Sequence, residues 1–252
     1  MAVIKLEHVN FYYDRGKPSE VHALQDVSIE INRGEYISFF GPSGCGKSTL
    51  LYIIAGVEKP DDGKVIINNQ NLMDLTPKEL AIYRQIGIGI IFQNFTLIPS
   101  IKNLENITLP MAFLGISPEK RKKRAMEILE RLGIAQFADR YPYELSGGQQ
   151  QRIAIARALA NDPPIILADE PLGNLDSANA NNVLDLLREF NQKDGKIIIM
   201  VTHEAWSLRD VHRVYYMRDG AMLKVEDKKS EIEKAAFAKK HNLPIVQVVT
   251  YK

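Results

Sequence analysis

Apolar and polar residues recur along this chain with two periods, which predict strands in some segments and helices in others. Alternation over residues 3–13 and 21–31 predicts two strands joined by a polar loop, because side chains of a strand point to opposite faces in turn. Short apolar runs predict further buried strands at 36–40, 65–67, 86–92, 165–168, 196–201 and 211–217. Apolar residues three and four positions apart predict helices after residue 49, near Pro77, and over 118–132, 146–160 and 177–193.

The order of these elements predicts an α/β fold. Strands and helices alternate before residue 94 and again after residue 161, and such alternation produces a mainly parallel sheet covered on both faces. Between these parts, strand signals give way to helical ones. We therefore predict one domain over 1–225, with a core of 1–93 and 162–225 and an inserted helical subdomain of 94–161. Residues 226–252 are predicted to be a C-terminal extension, interpreted as a cap or frayed end or alternatively as a regulatory or partner-binding segment.

Composition narrows the classes of function. The formal charge of +1 argues against a nucleic-acid partner, because broad nucleic-acid binding needs strong basicity. A single cysteine, Cys45, excludes an internal disulfide and suits a reducing compartment. No apolar run approaches the roughly 20 residues that span a bilayer, and the first residues lack a secretory pattern. The expected location is therefore cytoplasmic, with any work at a membrane done through a partner.

A phosphate-binding loop is the clearest chemical signal in the chain. Its pattern requires glycines at 41 and 46, then Lys47 and a hydroxyl at Ser48, and it stands between a predicted strand and a predicted helix. Glycines let successive backbone amides face one cavity, and the helix adds the positive end of its dipole. Lys47 can reach the outer phosphates, and the Ser48 hydroxyl is a hard ligand suited to Mg²⁺. The predicted nucleotide-binding residues here are Gly41, Ser43, Gly44, Cys45, Gly46, Lys47, Ser48 and Thr49.

Two carboxylates follow a second buried strand. The apolar run 165–168 ends in Asp169 and Glu170, at the carboxyl end of the strand, where open α/β sheets bind ligands. Asp169 suits a place in the Mg²⁺ shell through water, and Glu170 can polarise the water that attacks a γ-phosphate. The sequence therefore predicts a nucleotide hydrolase in which Glu170 and Lys47 are catalytic residues.

A second anion site is predicted at the run Leu145, Ser146, Gly147, Gly148 and Gln149. Ser146 is placed to cap a helix whose free amides and dipole point outward. This run is the signature sequence of the ATP-binding-cassette (ABC) ATPases, and the chain resembles that family over residues 1–225. The resemblance implies a P-loop core with an N-terminal antiparallel β subdomain, with ATP and Mg²⁺ as ligands. It also implies pairing with a second cassette, most simply another copy of the chain, whose signature acts in trans.

Other positions match motifs of this family in the expected order. Gln93 resembles the glutamine that touches Mg²⁺ and joins the core to the helical subdomain. Asn174 and Asp176 resemble the D-loop at the dimer interface, and His203 resembles the switch histidine, a catalytic residue at the γ-phosphate. The aromatic residue that stacks on adenine is expected at Tyr13, with Tyr12 as the competitor. The metal ligands that the resemblance implies are Ser48, Gln93 and, through water, Asp169.

The resemblance also suggests a subfamily and a partner. Residues 141–152 and 161–176 look like the macrolide-export and lipoprotein-release cassettes, although Leu172 stands where threonine is usual. The implied role is to drive a separate integral-membrane permease, in export or in lipoprotein or lipid extraction, from the inner face of the cell membrane. A docking groove is expected near Phe95, Leu97 and Ile98. The alternative is mechanotransmission without a transported substrate, as in the related cell-division cassettes; a soluble DNA-repair or ribosome-associated cassette ranks lower.

Overall fold

The fold is described from a computed structural model, which covers residues 2–228. Residues 229–252, most of the predicted extension, lie outside this described part. The strands are β1 Ala2–Tyr13, β2 Val21–Asn32, β3 Tyr36–Phe40, β4 Asp62–Ile67, β5 Gln70–Asn71, β6 Ile88–Ile91, β7 Ile165–Asp169, β8 Ile197–Thr202, β9 Arg213–Arg218 and β10 Ala221–Asp227. The α-helices are α1 Lys47–Ile54, α2 Pro77–Ile82, α3 Asn103–Phe113, α4 Pro118–Arg131, α5 Gly147–Leu159 and α6 Ser177–Gln192.

The strands form two sheets, as the fold class predicted. The first has the order β2-β1-β4-β5 and is antiparallel. The second has the order β10-β9-β3-β8-β7-β6, in which only the pairing of β10 with β9 is antiparallel. Because neighbouring strands in the second sheet run parallel, their carboxyl ends lie at one edge. Phe40 pairs with Thr202 at this edge, and Asp169 pairs with Val201.

Both faces of the second sheet are buried, which explains its continuous apolar strands. Along β8, Ile198 and Met200 pack in one hydrophobic cluster with helices α4, α5 and α6. The residues that alternate with them, Ile197 and Ile199, pack in a second cluster with α1 and the first sheet. Successive side chains therefore support different layers, as expected for a strand with a period of two residues.

The helices begin and end close to the predicted limits. Ser117 precedes α4 with Pro118 at the first helical position, and Ala125, Ile128 and Leu129 are its buried residues. Helices α3, α4 and α5 pack on one another in the segment assigned to a helical subdomain. The limits 94–161 of that subdomain remain a prediction. Among the helices of residues 2–228, none is long and apolar enough to cross a membrane.

The predicted strand 86–92 was too long. Tyr83–Gly87 forms a wide helical turn, and β6 covers only Ile88–Ile91. The turn is stabilised from outside, because the Tyr83 hydroxyl donates to the carbonyl of Ile54 at 2.7 Å and Arg84 donates to Gly56 at 2.8 Å. Tertiary hydrogen bonds thus override the local apolar pattern. The unusual Leu172 is buried in the cluster that contains α5 and α6, so packing accommodates it.

Candidate functional site

The phosphate loop connects β3 to α1 and is packed against two distant strands. A Cβ on Gly41 would collide with the carbonyl of Met217 in β9, and a Cβ on Gly46 would collide with that of Ala23 in β2. Gly46 also has a φ of +96°, which side chains rarely permit. The amide of Gly220, after β9, donates to the carbonyl of Cys45 at 3.2 Å. Glycine is therefore required at 41 and 46 by contacts that the sequence pattern does not reveal.

Lys47 is buried at the start of α1 and folds back over this loop. Its Nζ donates to the carbonyls of Gly41 at 2.9 Å and Pro42 at 2.7 Å. The same Nζ lies 3.9 Å from the Sγ of Cys45. Because Cys45 is only 3% exposed, alkylation of this thiol would require the loop to open.

Two hydroxyls from α1 hold the Asp169 carboxylate at the end of β7. Ser48 Oγ donates to Oδ1 at 2.7 Å, and the Tyr52 hydroxyl donates to Oδ2 at 2.8 Å. Burial, followed by this hydrogen bond, raises the pKa of Tyr52 above its ordinary value. Ser48 and Asp169 supply hard oxygens of the kind that Mg²⁺ prefers, so these residues fit that metal. Sequence analysis missed Tyr52, whose only signal is its spacing of four residues from Ser48 on one helix.

Glu170 and His203 meet at the ends of the neighbouring strands β7 and β8. His203 Nδ1 lies 3.2 Å from Glu170 Oε1. The amide of Glu170 donates to the carbonyl of Val201 at 3.1 Å, and its backbone then takes a left-handed φ of +43°. The chain therefore turns away from the sheet immediately after the two carboxylates, and these two predicted catalytic residues share one edge.

The two candidate aromatic residues have different surroundings. The Tyr12 ring stacks on His22, with centroids 4.0 Å apart, and Arg15 lies over the ring at 4.9 Å. Tyr13 is 42% exposed, and its hydroxyl lies 3.1 Å from Thr49 Oγ1 on α1. One ring is thus covered by its neighbours, whereas the other stands next to the phosphate loop. This arrangement favours Tyr13, although its contact with adenine remains a prediction.

Gln93 and the predicted D-loop are joined within the chain. Asn174 Nδ2 donates to the carbonyl of Gln93 at 3.0 Å and to Asn94 Oδ1 at 3.2 Å. Beyond Gln93, Phe95 and Thr96 adopt left-handed backbone conformations. Arg157 on α5 donates to both of their carbonyls, at 2.9 and 2.6 Å. Burial lowers the pKa of this guanidinium, which sequence analysis did not identify.

The signature run begins α5, with Ser146 at the N-cap position. The amide of Ser146 donates to Gln149 Oε1 at 3.0 Å. Gly148 lies so close to Asn179 of α6 that a Cβ there would collide with its side chain. Asn179 in turn donates its amide to Asp176 Oδ1 at 2.9 Å, and this bond holds the pKa of Asp176 below its usual range. Within residues 2–228, no hydrogen bond joins 145–149 to the phosphate loop.

An apolar groove of about 300 Å³ lies between β6 and α3. Phe113, at the end of α3, is 69% exposed at this groove. The lining of this groove includes Ile88, Ile90, Phe92, Leu109, Pro110 and Phe113. Two residues at which the sequence predicted a docking groove lie elsewhere: Leu97 packs against the core, and the Phe95 ring lies beside Gly147.

Comparison with known proteins agrees with these features. The family model described as ABC transporter matches residues 24–173. An uncharacterised ABC transporter ATP-binding protein of Methanocaldococcus jannaschii, MJ0796, is 46% identical over 228 residues, which are 89% of this chain and 97% of that protein. The ABC transporter ATP-binding protein YtrE of Bacillus subtilis is 40% identical over 87% of this chain and 96% of its own.

Two further similarities concern assembly. The macrolide export ATP-binding/permease protein MacB of Hyphomonas neptunium is 39% identical over 98% of this chain, which spans only 38% of that protein. The dimeric post-hydrolysis structure of the MJ0796 cassette, bound to ADP and Pi, has a TM-score of 0.83 and 44% identity, covering 89% of this chain and 98% of that one. Together with the phosphate loop, the two carboxylates and the signature helix, these matches show that the chain belongs to the ABC transporter family as an ATP-binding cassette ATPase.

Proposed function

We propose that this cassette hydrolyses ATP at the edge formed by β3, β7 and β8, and that hydrolysis drives a separate membrane-spanning permease. The observation that carries the proposal is the meeting of two polar pairs at this edge. Ser48 contacts Asp169 at the end of β7, and His203 contacts Glu170, the next residue after this strand. A metal-binding pair thus lies beside a pair suited to positioning water, which is the arrangement that phosphoryl transfer to water requires.

Ser48 and Asp169 are the residues that would hold Mg²⁺, with Gln93 joining them from the loop after β6. When bound, the metal supplies positive charge to the β- and γ-phosphates. Lys47 donates to the outer phosphate oxygens once it leaves the carbonyls of Gly41 and Pro42, which already hold its ammonium group within the loop. Tyr13 stacks on adenine.

Glu170 accepts a hydrogen bond from the attacking water and orients it toward the γ-phosphate. His203 donates to the γ-phosphate and, through its contact with Oε1, fixes the Glu170 side chain. Both groups act on charge that develops in the transition state, where preorganised hydrogen bonds have their largest effect.

Two copies of the chain are proposed to complete the site. The signature helix begins with exposed Ser146 and has no hydrogen bond to the phosphate loop of its own chain among residues 2–228. Its amides are therefore available to the γ-phosphate on a second copy, and the D-loop residues Asn174 and Asp176 would lie at the same interface. The dimeric MJ0796 structures support this arrangement.

The permease is proposed to dock at the apolar groove between β6 and α3. An exposed phenylalanine beside aliphatic side chains suits an apolar helix of the partner. Arg157 connects the groove to the loop after Gln93, because its guanidinium lines the groove and binds the carbonyls of Phe95 and Thr96. The match to MacB, a macrolide export ATP-binding/permease protein by name, supports a permease partner and a role in export. Lipoprotein or lipid extraction is the other role proposed, from the motifs in residues 141–152 and 161–176, and the proposed location is the inner face of the membrane.

The test is light scattering of the Glu170→Gln variant with and without ATP and Mg²⁺. We expect a dimer only with both ligands, because this variant binds ATP without removing the γ-phosphate. Glu127→Gln, which changes an exposed carboxylate on α4, is the matched control and should keep wild-type turnover.

Adding Ser146→Arg to Glu170→Gln should abolish the dimer while ATP binding persists. A dimer that survives this change would contradict a signature acting in trans. Loss of phosphate release in Glu170→Gln together with full release in the Glu127→Gln control identifies Glu170 as the hydrolytic residue; full release in both would reject it.

A further inference from the structure

Both oxygens of the Asp169 carboxylate are occupied by hydroxyl donors from a single helix. Ser48 reaches Oδ1 at 2.7 Å, and Tyr52 reaches Oδ2 at 2.8 Å. The two donors are four residues apart on α1 and therefore lie on one face, toward the end of β7. Asp169 itself is buried, so each of these hydrogen bonds replaces one that water would otherwise make.

We infer that Tyr52 is a positioning residue for the metal site, which it controls through Asp169. The inference rests on the proposed role of Ser48 and Asp169 in holding Mg²⁺. The inference adds Tyr52, on the second turn of α1, as the fixed hydrogen-bond partner of Asp169 Oδ2.

The physical reason lies in the freedom of a carboxylate. The last torsion of an aspartate side chain is broad, so one hydrogen bond alone leaves the plane of the carboxylate poorly defined. A second donor on the opposite oxygen fixes that plane. Partners of this kind, which contact a ligand without touching the metal, typically change metal affinity by about 10- to 100-fold when they are removed.

Tyr52 is itself held in place. Its ring packs against the hydrophobic cluster formed by α1 and the first sheet. Between Ser48 and Tyr52 on α1, Thr49 Oγ1 lies 3.1 Å from the Tyr13 hydroxyl. The phenol can therefore act as a rigid donor that does not depend on nucleotide, whereas the Ser48 hydroxyl faces both Asp169 and the predicted ligand.

The alternative is that the Tyr52 hydroxyl only satisfies a buried carboxylate and stabilises the fold. Tyr83 provides a matched control, because its hydroxyl also makes one hydrogen bond to the α1 segment, to the carbonyl of Ile54 at 2.7 Å. Tyr83→Phe and Tyr52→Phe each remove one partly buried hydroxyl, but only the Tyr52 hydroxyl contacts Asp169.

The experiment measures Mn²⁺ affinity of the full chain by electron paramagnetic resonance, in the presence of a non-hydrolysable ATP analogue. Nucleotide affinity without metal and the thermal midpoint of unfolding are measured in parallel. We expect Tyr52→Phe to weaken Mn²⁺ binding by about tenfold while metal-free nucleotide affinity stays at the wild-type value. Tyr83→Phe should lower the thermal midpoint without changing Mn²⁺ affinity.

Equal Mn²⁺ affinity in Tyr52→Phe and wild type would overturn the inference and leave the proposed metal site intact. Equal losses in Tyr52→Phe and Tyr83→Phe would also overturn it, since they would reflect general loosening of α1. Failure of the wild-type protein to bind Mn²⁺ with nucleotide would reject the proposed metal site and the inference together.

Discussion

The imidazole of His203 contacts the carboxylate of Glu170, with Nδ1 and Oε1 3.2 Å apart. The contact depends on the parallel pairing of β7 with β8, because Asp169 lies opposite Val201, and Glu170 and His203 follow one and two residues later on their strands' carboxyl sides. Neither residue is near the other in sequence, so the sheet register brings them together. If they act as one unit, their removal should not be additive.

We therefore predict that His203→Ala and Glu170→Gln each lower the rate of ATP hydrolysis by about 100-fold or more. The double variant should be no slower than the slower single variant. Phosphate release at saturating ATP measures the rates, and fluorescent-nucleotide binding confirms that ATP still binds. Losses that multiply would show that the two residues act independently.

The glycines of the phosphate loop allow steric collision to be separated from backbone strain. Gly44→Ala meets only a φ of +79° in open space and should cost about 1 kcal/mol of unfolding free energy. Gly46→Ala combines the positive φ with a collision at Ala23 and should cost about 3 kcal/mol or more. Denaturant unfolding measures both; equal costs would mean that the loop moves away from β2 without penalty.

Replacing the two neighbouring tyrosines should separate their roles. Tyr13→Leu should weaken ATP binding by about tenfold, because stacking of a base on an aromatic ring contributes roughly 1–3 kcal/mol. Tyr12→Leu should leave ATP affinity unchanged, since that ring is already covered by His22 and Arg15. Calorimetric titration decides between them, and the reverse order of effects would assign the adenine contact to Tyr12.

Replacing Arg157 with lysine should lower the stability of the fold. Its guanidinium donates to two carbonyls and to Thr96 Oγ1 at 2.8 Å, a geometry that a single ammonium cannot reproduce. We expect Arg157→Lys to lower the unfolding free energy by about 2 kcal/mol. Arg152→Lys, on the same helix but with a hydrogen bond to the single carbonyl of Leu132, is the control and should cost less. Equal stability of the two variants would contradict a special role for the loop contact.

Phe113 tests the docking groove. Because this side chain is 69% exposed, Phe113→Asp should leave the thermal midpoint and nucleotide affinity of the isolated cassette unchanged. Association with a co-expressed permease should be lost. Co-purification from detergent measures association, with Val57→Asp as the control at another exposed apolar position. Retention of the permease by Phe113→Asp would reject this groove as the docking surface.

The parts of the site that could be predicted are local in the sequence. The phosphate loop needs only a glycine spacing, and the carboxylates follow one apolar strand. Tyr52 could not be predicted, because its partner Asp169 lies 117 positions further along the chain. The same holds for Arg157, whose hydrogen bonds reach carbonyls 61 and 62 positions earlier. Long-range contacts of this kind depend on the sheet order, which a pattern of apolar residues does not specify.

Predicted limits of secondary-structure elements were wrong where tertiary contacts outweighed the local preference for strand. The apolar residues before β6 predicted strand, yet Tyr83 and Arg84 bind the end of α1 and wind that segment into a helical turn. The residues of α3 that line the proposed docking groove were likewise not predicted, because the exposed face of α3 is defined only by what this helix packs against. The continuous apolar runs predicted the strands of the second sheet more reliably, since each face of that sheet packs in its own core.

The phosphate loop rests on backbone that is synthesised long after the loop itself. Gly41 lies against Met217, and Cys45 accepts a hydrogen bond from Gly220. A nascent chain that has not yet released β9 therefore carries residues 41–49 without the strand they pack on. We therefore expect ATP binding to appear during translation only after β9 has emerged and paired with β3.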